Sequence, residues 1–124
     1  MALIQPTPLF GSDGINSQTV QWVGANSNSQ FQPVNRGDLV DHSFQVTGTF
    51  GAGTNVQIVG SNDATNITNG TYFPLTDPFG TIINMTAAGL RQTTEMTVWV
   101  KPNISAGDGT ENLTITLSVR RSYR

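Results

Sequence analysis

Apolar and polar residues alternate most regularly from Val40 to Phe50. Val40, His42, Phe44, Val46, Gly48 and Phe50 fall on one side, and Asp41, Ser43, Gln45, Thr47 and Thr49 on the other. Alternation over this length predicts a strand with one buried and one wet face. Leu113, Ile115, Leu117 and Val119 repeat the pattern against Thr114, Thr116 and Ser118. A shorter version at 95–101 sets Met96, Val98 and Val100 against Trp99, and Asn55 to Val59 turns Val56 and Ile58 inward. Thr19 to Val23 carries Val20 and Trp22 on one face, and Tyr72 to Leu75 and Thr81 to Met85 complete the candidate strands.

Between these segments stand turn residues, among them Gly51 and Gly53 and the hairpin-type pair Asp108-Gly109. Only TAAGLRQ, 86–92, is compatible with helix, and Gly89 limits it to about one turn. Several short alternating strands in one small chain predict an all-β, antiparallel β-sandwich with Greek-key or jelly-roll-like connections. Residues 1–16, punctuated by Pro6, Pro8 and Gly11, read as an extended N-terminal arm. The sandwich is expected over 17–121, and 122–124 end a short basic C-terminal tail.

Composition supports this reading. The 124 residues suffice for one core without metal or disulfide, and there is no cysteine for a disulfide framework or a thiolate metal site. Charged residues are 11% of the chain, whereas Thr, Asn, Ser and Gln number 45, a balance that suits pleated faces and turns rather than long helical surfaces. Three of the six cations (Arg120, Arg121 and Arg124) lie in the last five residues. The rest of the chain has three cations against eight carboxylates, a net of −5. A nucleic-acid binder would carry its positive charge on the folded body, so no nucleic-acid partner is expected. No apolar run approaches the ~20 residues of a membrane span, and the first residues lack a cationic leader pattern, so synthesis in the cytoplasm is expected.

Catalytic chemistry finds little support. His42, the single histidine, falls on the apolar face of the best strand and reads as a residue held by a local hydrogen bond rather than a general base. No nucleophile elbow and no His or Cys cluster is present, so neither enzyme activity nor a cofactor or metal is expected. Asp63, Asp77 and Asp108 sit singly in SND, TDP and GDG, where Asp bonds its own backbone. Arg36-Gly37-Asp38 matches an adhesion tripeptide, and Asn66, Asn69, Asn84, Asn103 and Asn112 begin glycosylation sequons. Both are matches that this composition generates readily.

The runs VQIVGSND (56–63), LTDPFGT (75–81), TAAGL (86–90) and GDGTENLTITL (107–117), followed by Arg120-Arg121, resemble the capsid decoration, or cement, proteins of tailed bacteriophages. The resemblance covers residues 50 to 121. It implies a jelly-roll-like sandwich on the outer capsid surface that binds the major capsid protein, bridges capsomers and forms a homo-oligomer there. The arms supply the candidate contacts: Leu3, Ile4, Leu9 and Phe10 at one end, Arg120, Arg121, Tyr123 and Arg124 at the other. A second likeness is to discoidin-like carbohydrate-binding sandwiches, through the GSND loop and the aromatic before Pro74-Leu75. There Tyr72 and Phe73 stand where those proteins place a Trp, and the insert ATNITNGT is longer. That alternative expects sugar stacking on Tyr72, Phe73 or Trp99.

Overall fold

The alternating segments become the long strands of a computed structural model that describes residues 3–9, 17–35, 41–63, 71–95 and 97–120. Its strands are β1 (Leu3–Ile4), β2 (Thr7–Pro8), β3 (Ser17–Ala25), β4 (Gln30–Phe31), β5 (Val34–Asn35), β6 (Asp41–Thr49), β7 (Asn55–Ser61), β8 (Phe73–Pro74), β9 (Gly89–Gln92), β10 (Trp99–Ala106) and β11 (Asn112–Arg120). The described residues contain no helix. One antiparallel sheet has the order β2-β3-β11-β6-β9 and the other β5-β10-β7-β8, while β1 and β4 form a small parallel pair. The protein is an all-β sandwich.

Its core is what the alternation implies. Leu113, Ile115, Leu117 and Val119 of β11 lie inside with Val20 and Trp22 of β3 and with Phe44 and Val46 of β6. Val56 and Ile58 of β7 and Val100 and Ile104 of β10 join the same cluster from the second sheet. Each fully buried side chain of this size contributes about 1.5–3 kcal/mol relative to exposure. The Trp22 indole N–H is satisfied by the Gln32 carbonyl at 2.9 Å, so burying the ring strands no donor. The edge strands have only two to four residues, which leaves little unpaired backbone for another chain to join.

Two glycines rephase the alternation. Leu113 pairs with Ala25 and Thr114 with Val23, so Gly24 is the extra residue of a bulge, at φ 75°. This lets Trp22 and Ala25, three residues apart, share the inner face. In β6 the inward series stops at Val46. Gly48, expected inside, is exposed and takes φ 113°. A β-carbon there would run into the Asn112 carbonyl oxygen. Gly48→Ala therefore meets both backbone strain and a close backbone neighbour, and should cost about 1–3 kcal/mol, read as a lower urea midpoint with an unchanged m-value.

Several expectations need correction. The segment expected to form a helical turn is the edge strand β9: Gly89 to Gln92 pair with Val46 to Ser43. Backbone partners on β6 outweigh the helix propensity of so short a segment. The strand expected at 95–101 begins only at Trp99 and runs on through Pro102 to Ala106, paired with β7. Tyr72 to Leu75 contributes only Phe73–Pro74 as strand, and 81–85 makes isolated bridges, Thr76 to Ile82 and Val56 to Met85. The described part of the N-terminal arm is extended but lies along the sandwich. Leu3 and Ile4 pair with Gln30 and Phe31, Thr7 and Pro8 with Gln21 and Val20, and Ile4 packs on the core. Val40, Met96 and the tripeptide 36–38 lie outside the described residues.

Candidate contact surface

The two groups of arm residues are only partly brought together. Leu3 is 45% exposed, Ile4 half-buried, and Leu9 half-buried with its N–H on the Thr19 carbonyl at 2.8 Å. Arg120 is exposed and ends β11 opposite Asp41 and Ser17. Leu9, beside Thr19, and Arg120 thus approach one end of the five-stranded sheet, while Leu3 and Ile4 lie beside the turn that follows β3. Phe10, Arg121, Tyr123 and Arg124 are outside the described residues.

A cleft of about 450 Å³ opens at the Arg120 end, lined by His42, Ser43, Leu90, Gln92, Ser118 and Arg120. His42 is buried and its Nδ1 lies 3.0 Å from the Thr93 hydroxyl, the local hydrogen bond expected for it. Sequence reasoning missed this cleft. Its members are scattered residues of three strands, five polar and one apolar, and only the register aligns them.

The opposite end of the sandwich is tied by carboxylates. Glu111 accepts from the Ser27 N–H at 2.8 Å, the Thr54 hydroxyl at 2.7 Å and the Asp108 N–H at 2.9 Å, joining three loops. Burial opposes its charge, but these hydrogen bonds outweigh burial and hold the carboxyl below its usual range. Asp108 accepts from the Thr110 hydroxyl at 2.6 Å, from the Thr110 N–H at 3.0 Å and from the Ala52 N–H at 2.9 Å, which hold it well below the ordinary carboxylate value.

At the side of the sandwich, the chain between β8 and β9 forms a small hairpin. Asp77 Oδ1 accepts from the N–H groups of Phe79 (2.9 Å) and Thr81 (3.1 Å), the turn chemistry expected of TDPFG. Glu95 holds its base by accepting from the Thr76 N–H at 2.8 Å and hydroxyl at 2.6 Å. Phe79, 94% exposed, projects from this fixed turn. The other candidate aromatics do not form one platform. Tyr72 and Trp99 flank Lys101, whose ammonium lies 4.5 Å from the Tyr72 ring centre. Burial lowers the Lys101 pKa, and burial, then the charge of Asp63, raise that of Tyr72. Phe73, 65% exposed, pairs with Gly60 and so points away from the face that carries Trp99 and Lys101.

The described surface thus offers a cleft beside Arg120, a projecting phenylalanine, and carboxylates engaged in their own loops. Among the described residues no three His, Cys, Asp or Glu side chains gather to hold a metal ion. No known family model, curated protein or solved structure matches the chain.

Proposed function

We propose that this chain is a non-enzymatic structural protein of a bacteriophage virion, a decoration protein that binds the major capsid protein on the outer capsid surface and stabilises contacts between capsomers. The observation that carries the reading is the path of the chain. Except between β7 and β8, it switches sheets at each connection from β3 to β11 and leaves the orders β3-β11-β6-β9 and β5-β10-β7-β8. That path supports a jelly-roll reading, an architecture used by viral capsid and lectin domains. The step from fold to virion is an analogy and rests also on the sequence resemblance. The apolar side chains offered for the contact are Leu3, 45% exposed at the N-terminal strand, and Phe79, 94% exposed on its braced turn. Arg120, Arg121 and Arg124 set a basic end against an acidic body, and that end favours docking on an acidic surface and raises the association rate more than the affinity.

The test is co-sedimentation with capsids of the same phage that lack this protein. Because Ile4 packs on the core, removing the whole N-terminal segment would confound folding with binding. Leu3→Asp, Phe79→Ser and a chain ending at Arg120 avoid this. The tail deletion should lower occupancy most at low salt, where the ~10 Å screening length at 0.1 M has lengthened, and the two apolar variants at all salt concentrations. Full occupancy by all three proteins would refute the contact assignment. The lectin-like alternative predicts retention on glycan arrays that is lost on Trp99→Ala.

A further inference from the structure

We propose that the Asp77-Pro78 peptide bond is a self-cleavage site, hydrolysed faster in the folded chain than in the unfolded one. An Asp-Pro bond carries a nucleophile, the side-chain carboxylate, one ring closure away from its own carbonyl carbon. Its leaving group is the proline ring nitrogen, a tertiary amide that takes a proton more readily than the secondary amides of other residues. Folding adds fixed hydrogen bonds to this chemistry. The Asp77 carbonyl oxygen accepts from the Gly80 N–H at 2.9 Å and from the Thr94 hydroxyl at 2.7 Å. The first bond closes the turn. The second comes from a residue 17 positions away and is no part of the turn itself. Two fixed donors on one carbonyl oxygen make the arrangement of an oxyanion hole.

The carboxylate is placed as well. Its Oδ1 accepts from the N–H groups of Phe79 and Thr81, both further along the chain, so the side chain is folded forward toward its own carbonyl group. Among the described residues Oδ2 has no such partner and keeps its lone pairs. The backbone is pinned on both sides. The Asp77 N–H donates to the Thr81 carbonyl at 2.8 Å, and the Thr94 N–H to the Thr76 carbonyl at 2.8 Å. In the reaction Oδ2 attacks the Asp77 carbonyl carbon, and the charge of the tetrahedral intermediate falls on the oxygen held by Gly80 and Thr94. The C–N bond to Pro78 breaks, leaving its electron pair on the nitrogen, which takes a proton from solvent. Water then opens the five-membered anhydride and restores both carboxyl groups, so the net change is hydrolysis of one peptide bond. The pieces stay together, because β11 lies between β3 and β6, and β10 between β5 and β7. Cleavage opens the hairpin that carries Phe79 without taking the sandwich apart. It does not depend on capsid binding.

The experiment incubates the full chain at about pH 5, where Glu111 remains ionised, and follows fragments 1–77 and 78–124 by mass spectrometry over weeks. The folded protein should cleave at least about tenfold faster than the same chain in guanidinium chloride. Thr94→Val should slow the folded chain by about tenfold or more, the loss of one preorganised donor, and leave the unfolded rate unchanged. Thr94→Ser keeps the hydroxyl and should cleave at close to the parent rate. Asp77→Asn keeps an acceptor for Phe79 and Thr81 but removes the carboxylate, and Pro78→Ala removes the leaving group. Neither should yield the fragments on this timescale. Thermal melts confirm that all four substituted proteins are folded. The proposal is overturned if the folded parent cleaves no faster than the unfolded one, if Thr94→Val cleaves at the parent rate, or if Asp77→Asn does.

Discussion

Phe44→Ala should lower stability by about 3–5 kcal/mol, the largest loss expected from any single substitution considered for this protein. Phe44 has no exposed surface and lies on β6 directly opposite Leu117 of β11. Removing the ring forfeits its transfer energy and leaves a cavity that two neighbouring strands cannot close without breaking their ladders. For a chain of this length the loss corresponds to a fall in Tm on the order of 10–20 °C, measurable by calorimetry. Phe44→Leu keeps most of the volume and should cost less than about 1.5 kcal/mol. A Tm for Phe44→Ala within a degree or two of the parent would put this side chain outside the core.

Glu111→Ala comes next, at about 2–4 kcal/mol. Glu111 is 5% exposed yet lies beneath loops rather than in the apolar core. Its loss leaves two backbone N–H groups and the Thr54 hydroxyl without their acceptor, and each buried unsatisfied group costs about 1–3 kcal/mol, partly recovered where water can enter. Glu111→Gln should be intermediate. One amide oxygen can still serve Ser27, but the new NH₂ then faces the Asp108 and Thr54 donors. The same group sets an acid limb. Its folded pKa lies below the unfolded value, so its contribution is complete above the unfolded pKa of about 4.5 and is lost as pH falls through the folded one. Asp108 contributes in the same direction, lower still. Urea midpoints should therefore fall as pH drops below about 4.5, and less steeply in Glu111→Gln. An acid limb of equal slope in both proteins would remove Glu111 as its source.

The carboxylate clamp also sets the two ends of the sandwich apart. One end of the sandwich is fixed by Glu111 and Asp108, whose hydrogen-bonding capacity is spent on their own loops. The other gathers the cleft, Leu9 and the start of the basic tail.

Strand class, most inward faces and the turn chemistry were legible in the order of the residues alone. Alternation is a local property: Phe44 and Val46, or Leu113 to Val119, must share a face in any strand, and a chain that buries apolar area puts that face inside. The Asx turns at Asp77 and Asp108 were legible for the same reason, since each closes within four residues. What lay beyond the sequence depends on partners distant along the chain. Gly89 to Gln92 became a strand because β6 offered an edge, and Gly24 shifted the phase of β3 because β11 required it. Glu111 carries no motif; its role comes from Ser27 and Thr54, 84 and 57 residues away. The cleft needed three strands in one register before Gln92, Ser43 and Ser118 became neighbours. Periodicity assigns a side chain to a face, but only strand pairing decides which side chains share it.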